Sequence, residues 1–295
     1  MNADPTFEAH RPRLFSLAYR LLGSPADSED VVQETWLRWH GVDRDGIKDP
    51  EAWLVTAATR LGLDRLRAAK SARTDYIGPW LPEPLSVDTA PDPAEAKEIA
   101  GEVSLAFLAL LERLGPEERA VFLLKDAFDY DYATIGEWLG HSEANCRQMA
   151  HRARERLRAG RPRFVVPRER HQHLLQRFME ASQRGDRAAI TALLADDARL
   201  VSDGGGKVTA ALRPLLGADR IARLYWALFQ RKAVVPAQLG WVNGEPAILR
   251  FIDGRLHSLT LAVCDGERIT ELLTLMNPDK LPVTVTPPAA SASLG

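Results

Sequence analysis

Five prolines stand at positions 79, 82, 84, 91 and 93, and neither a helix nor an interior strand tolerates that density. Each ring removes a backbone donor and pins φ near about −65°. The stretch from Asp75 to Pro93 is therefore stiff and extended, and its apolar cluster Trp80-Leu81-Pro82-Glu83-Pro84-Leu85 reads as a linker with something to hold. Upstream, Leu14, Leu17, Ala18 and Leu21, then Val31, Val32, Thr35, Trp36 and Trp39, keep helical spacing, broken at Gly23-Ser24-Pro25 and Asp49-Pro50. Downstream, Val103, Phe107, Leu110, Leu111 and Leu114 make another helical stripe, Gly115-Pro116-Glu117-Glu118 starts a further helix, and a third segment ends at Gly140. Two compact all-helical units are expected, one on each side of the linker.

After Pro167 the pattern changes. A helix carrying Leu174, Leu175, Phe178 and Met179 precedes Arg187 to Leu194, a short strand from Ala198 to Ser202 and a helix from Asp219 to Arg231. Apolar runs then alternate with Asn243-Gly244, Asp253-Gly254 and Asp265-Gly266, dipeptides that favour tight hairpins because both positions tolerate φ > 0. The expectation is an α+β domain, helices on a meandering antiparallel sheet, ending near Met276-Asn277-Pro278-Asp279-Lys280-Leu281, with residues 282–295 a disordered tail. A length of 295 residues suits two or three domains, and 45% hydrophobic with 26% charged residues excludes wholesale disorder. No apolar run approaches the ~20 residues of a membrane span, and the first residues lack signal-peptide layout, so a soluble cytoplasmic protein is expected. Cys146 and Cys264 lie far apart without CxxC spacing and are expected to be free thiols.

A net charge of −2 hides two basic blocks. Arg60, Arg65, Arg67, Lys70 and Arg73 face Asp64 alone; Arg147, Arg152, Arg154, Arg156, Arg158, Arg161 and Arg163 face Glu143 and Glu155. The second block lies in Tyr132 to Arg154, where a short helix, a turn at Gly140 and a Ser142-capped second helix reproduce helix-turn-helix layout. Cys146, Ala150, Ala153 and Leu157 share one face of that second helix, leaving Arg147, Gln148, His151 and Arg152 on the part that enters a major groove.

Asp27-Ser28-Glu29-Asp30-Val31-Val32-Gln33-Glu34-Thr35-Trp36-Leu37-Arg38, then the helix Trp53 to Arg67, then the helix-turn-helix follow one another in the order of a bacterial sigma-70 family factor. These motifs resemble regions 2.2, 2.4 and 4.2 of the extracytoplasmic-function group over residues ~7 to 160. The Trp80 to Leu85 cluster, Asp203-Gly204-Gly205-Gly206-Lys207 and Asn277-Pro278-Asp279-Lys280-Leu281 resemble the sigma factor J type, which carries a fused SnoaL-like domain. Arg60 and Met149 depart from the wider group, where Asn and a basic residue are frequent.

The resemblance implies a multidomain fold: two all-α sigma domains, the second a helix-turn-helix, followed by an α+β SnoaL-like cone-shaped barrel. It implies a region 2 domain at 5–74, a linker at 75–98, a region 4 domain at 99–163 and a regulatory domain at 168–281. Asp30, Gln33, Glu34 and Trp36 would bind core RNA polymerase at its clamp, region 4 its flap; Arg60, Arg65 and Arg67 would meet the minus-10 element and Arg147, Gln148, His151 and Arg152 the minus-35 element. Trp80, Leu81 and Pro82, the Asp203 to Lys207 loop and Asn277 to Leu281 would regulate in cis, without a separate anti-sigma factor, cofactor or membrane. A small ligand in the third domain is left open.

Bland readings compete at several sites. The glycines before Lys207 lack GxxxxGK[ST] spacing, with Val208 in the hydroxyl position, so a strand-end loop is expected and not a phosphate loop. His171 and His173 fall on different sides of a helix and predict no metal site. A rival enzyme reading would use Asp203, His257 or Glu271 as pocket acid or base. A plain helix-turn-helix regulator is a third option, for which the Asp27 to Arg38 motif would have no use.

Overall fold

The computed structural model describes residues 4–89, 103–158, 166–282 and 285. Most of the expected tail, residues 90–98 of the linker, and Arg161 and Arg163 lie outside them. The chain divides into two units, the first made of Met1–Thr74 with Leu108–Arg161 and the second of Asp75–Phe107 with Pro162–Gly295.

In the first unit one start signal recurs three times. Helices α1 (Pro5–Leu22), α2 (Pro25–Gly41) and α3 (Pro50–Ala72) each begin with proline behind Asp4, Ser24 or Asp49, whose side chains accept from first-turn amides. Their apolar stripes close on one another, with Leu14, Leu17, Val31, Leu54, Ala58 and Leu66 buried. Helices α4 (Leu105–Leu111), α5 (Pro116–Asp126), α6 (Tyr132–Leu139) and α7 (Glu143–Arg158) follow. Both helical segments lie in the first unit and touch there. Arg119 of α5, wholly buried, donates to the Leu21 carbonyl at 2.8 Å and pairs with Glu112 at 2.6 Å. Its pKa is lowered by desolvation, which Glu112 opposes. A buried guanidinium needs such partners, and Arg119 finds one of them on α1.

The second unit is a sheet with helices packed on it. Helices α8 (Arg168–Arg184), α9 (Arg187–Leu193) and α10 (Ala218–Gln230) pack on it, burying Leu175, Phe178, Ile190, Ile221, Ile248 and Leu272. The strands are β1 (Val87–Asp88), β2 (Leu194–Asp203), β3 (Leu215–Leu216), β4 (Ala237–Val242), β5 (Glu245–Ile252), β6 (Arg255–Cys264) and β7 (Ile269–Leu275). Their order is β1-β4-β5-β6-β7-β2-β3.

Two expectations change here. The sheet is mixed, because β2 runs parallel to β7, and β2 begins at Leu194 instead of Ala198. A meander from β4 to β7 returns the last strand beside the first long one, and only a parallel pairing is then open to β2. Of the three dipeptides, Asn243-Gly244 and Asp253-Gly254 have φ > 0 at both positions, while at Asp265-Gly266 only the glycine does. Asp265 instead accepts from the amides of Glu267 and Arg268, which makes a longer turn. The linker residues Val87 and Asp88 pair antiparallel with Val242 and Trp241 and so form one edge of this sheet.

Candidate functional site

The helix-turn-helix rests on a close approach. A Cβ added to Gly136 would sit 2.5 Å from the His141 carbonyl oxygen, so only glycine lets the turn fold back on α6. Gly140 closes α6 at φ 73, and Ser142 Oγ accepts from the Asn145 amide to open α7. On α7, Cys146, Met149, Ala150, Ala153 and Leu157 are buried, while Arg147, Gln148, His151 and Arg152 are exposed together. Their spacing of i, i+1, i+4 and i+5 makes one continuous face. Arg147 pairs with Glu143 and lies over the Tyr132 ring; Arg152 Nε donates to Glu118 at 3.1 Å. Met149 is buried, which suits its apolar side chain.

The basic residues of α3 are occupied. Arg60 Nε donates to the Trp138 carbonyl at 2.9 Å, Arg65 pairs with Asp30 at 3.0 Å, and Arg67 binds Asp64 and Glu117. Glu117 raises the Arg67 pKa through their hydrogen bond. Two of the three residues are thus held by α5 and α6. On α2, Asp30 and Gln33 are exposed and Glu34 half-buried, along one stripe that continues to Leu37, itself 56% exposed. Trp36 stands beside them, stacked on His40 with centroids 4.5 Å apart. Leu37 was not singled out from the sequence, although its i+3 and i+4 spacing from Glu34 and Gln33 was readable.

In the second unit three motifs meet at one carboxylate. Asp203, fully buried at the end of β2, accepts from Tyr76 Oη (2.5 Å), the Leu81 amide (2.8 Å), the Gly205 amide (3.1 Å) and Lys280 Nζ (2.7 Å). Lys280 also donates to the Leu81 carbonyl at 2.8 Å and lies 4.0 Å from the Trp80 ring centroid. Asn277 donates to Tyr76 Oη at 3.0 Å, and Lys207 pairs with Asp279. Gly205 has φ 58 and abuts the Asn277 amide so closely that no side chain fits. Leu281 is buried; Gly204 and Gly206 complete the turn against Val208 and Ile77. The glycine run is therefore a strand-end loop. Tyr76 was missed because nothing in its local sequence distinguishes it.

A second clasp was also missed. Asn243 Oδ1 accepts from the amides of Leu85 and Ser86, and its Nδ2 donates to the Val103 carbonyl at 3.0 Å. Glu245, half-buried beside Ser104 and the Ala106 amide, has its pKa pushed up to about 7 by desolvation. Read from sequence, Asn243 was only a turn former.

The three acid/base candidates do not converge. Asp203 is saturated by its donors, and Glu271 faces away from the cone interior, near Arg199 at 3.7 Å. His257 lines a cavity that neither Asp203 nor Glu271 lines. His171 is turned to the Ala262 carbonyl and its pKa is lowered by burial; no cluster of metal-ligating side chains occurs among the described residues. Both cysteines are free and buried, with pKa raised by desolvation. No helix among the described residues is long and apolar enough to cross a membrane.

Comparison with known proteins agrees with this layout. Sigma-70 region 2 matches residues 6–72, and Sigma-70 region 4 matches residues 104–157. The ECF RNA polymerase sigma factor SigJ of Mycobacterium tuberculosis is 41% identical over 290 residues, covering 93% of this chain and 91% of the relative. The chain belongs to the ECF RNA polymerase sigma factors. "Probable ECF RNA polymerase sigma factor SigI" of the same species is 32% identical, covering 93% of each chain. The crystal structure of SigJ superposes with a TM-score of 0.71 at 39% identity, covering 93% of this sigma factor and 96% of that chain. The fold is thus helical sigma regions followed by a SnoaL-like cone.

Proposed function

We propose that this sigma factor directs core RNA polymerase to its promoters in the cytoplasm and is restrained in cis by its own C-terminal domain. The exposed quartet Arg147, Gln148, His151 and Arg152, set opposite the buried face of α7, carries the reading. Arginine and glutamine pair bidentately with base edges, and this quartet would read the minus-35 element. Asp30, Gln33, Glu34, Trp36 and Leu37 would meet the polymerase clamp, and region 4 its flap. Arg60, Arg65 and Arg67 would meet the minus-10 element. Because Arg60 and Arg67 are held by α5 and α6, region 4 must part from region 2 before α3 meets DNA.

The Asp203 clasp supports control by the third domain, since it ties the linker residues Trp80, Leu81 and Pro82 to the glycine loop and to Asn277, Pro278, Asp279, Lys280 and Leu281. Boundaries at 5–74, 75–98, 99–163 and 168–281 belong to the same proposal, as does independence from a separate anti-sigma factor. The domain acts by binding and not by turnover, because Asp203, His257 and Glu271 are not gathered at one place. A small ligand in the cone would enter the same control. Run-off transcription with purified core polymerase would compare the full chain, a truncation after Arg163 and one just before Asn277. Initiation by the full chain, altered by either cut, is expected; equal activity from all three would remove cis regulation, and no initiation despite core binding would remove the sigma reading.

A further inference from the structure

The sheet, α8 and α10 line a cavity of about 280 Å³, at the small end of ligand pockets. Leu200, Leu224, Leu228 and Val234 make it largely apolar. One row of polar residues crosses it in register, Ser202 beside Thr274 and Thr274 beside Thr260. Between β5 and β6 the register shifts after Arg250, so that Ser258 pairs with Arg250 and Leu256 with Phe251. His257 is the extra residue of that bulge, and it lines the cavity together with Arg250.

Arg250 is the only arginine or lysine lining the cavity among the described residues. Its Nη1 donates to Thr260 Oγ1 at 3.0 Å, and Thr260 Oγ1 lies 3.1 Å from Thr274 Oγ1. Tyr225, its ring edge-on to Phe178, shares a hydrogen bond with Thr274. No carboxylate among the described residues pairs with Arg250. A guanidinium carries five donors, and half-buried Arg250, with Thr260 as an acceptor, has donors to offer an anion in the cavity.

We infer that the cone binds a small apolar monocarboxylate, its carboxylate on Arg250 and its hydrocarbon body among Leu200, Leu224 and Leu228. One permanent cation matches one negative charge, so a monocarboxylate suits Arg250 better than a phosphate dianion. The volume equals roughly nine waters at ~30 Å³ each, which suits an acid of about eight carbons better than a long-chain lipid. The inference deepens the ligand reading of the third domain, and its test needs no transcription.

Titration calorimetry and thermal shift on the full chain would use octanoate, phenylacetate and 1-naphthoate, each beside its primary amide. At least one acid is expected to bind at least tenfold more tightly than its amide. R250M should erase that ratio and R250K keep part of it, while V234W, which fills the cavity from its lining, should block acid and amide alike. Equal binding of acid and amide by the unsubstituted chain would overturn the anion site and leave a ligand cavity; no binding by any member would overturn both. Neither result depends on the fold of a variant or on promoter activity.

Discussion

Removing the charge at Asp203 should uncouple the linker from the third domain. The carboxylate takes four donors, so Asp203→Asn sets an amide NH₂ among N–H and O–H groups and removes the negative charge that buried Lys280 pairs with. Breaking a buried charge pair by changing one partner costs about 3 to 5 kcal/mol. Lys280→Met should cost a similar amount, because it strands Asp203 and frees the Leu81 carbonyl. The double variant D203N/K280M should cost about 2 kcal/mol less than the sum, the coupling expected of residues in direct contact. At an m-value of about 2 kcal/mol/M, each single change lowers the urea midpoint of the second unit by roughly 1.5 to 2.5 M. Hydrogen exchange resolved to residues 76–86, 203–207 and 277–281 reads the clasp locally, which matters because a chain of two units need not unfold in one step. Single-variant costs below about 1 kcal/mol, or strict additivity in the double variant, would refute the argument that this pair holds the motifs together.

Further outcomes follow from the same geometry. Glu245 protonates near pH 7 in the folded chain against an ordinary 4.5, so the folded state holds its proton more tightly and wild-type stability falls as pH rises from about 4.5 to 7. The gap corresponds to at most about 3 kcal/mol, and Glu245→Gln should flatten that slope in melting curves between pH 5 and 8; an unchanged slope would clear Glu245. Arg147→Ala should cost about 1 to 3 kcal/mol in promoter binding and relax one minus-35 position, whereas Arg158→Ala should weaken all promoters alike; equal, sequence-independent losses would leave α7 an electrostatic anchor. Gly136→Ala should abolish minus-35 binding by forcing α6 away from the turn at His141, with circular dichroism and footprinting as the readout; normal footprints would show that the turn can yield.

What the sequence determined by itself was local or periodic. Proline behind a capping residue started α1, α2 and α3, and apolar spacing on α7 separated Cys146, Ala150, Ala153 and Leu157 from the exposed quartet, because helix geometry converts spacing directly into a face. The Gly140 and Ser142 signals placed the helix-turn-helix for the same reason. Tertiary structure alone decided the rest. That β2 lies parallel to β7, that Arg60 and Arg67 are already engaged, and that Tyr76 and Asn243 belong to clasps are matters of contacts between residues more than seventy positions apart in most cases, and no local preference encodes them. Asp203 shows the division within one residue. Its place before three glycines marked a loop, but its role as the acceptor for three separate segments follows from burial, which makes an unpaired charge too costly and so brings Tyr76, Leu81 and Lys280 to it.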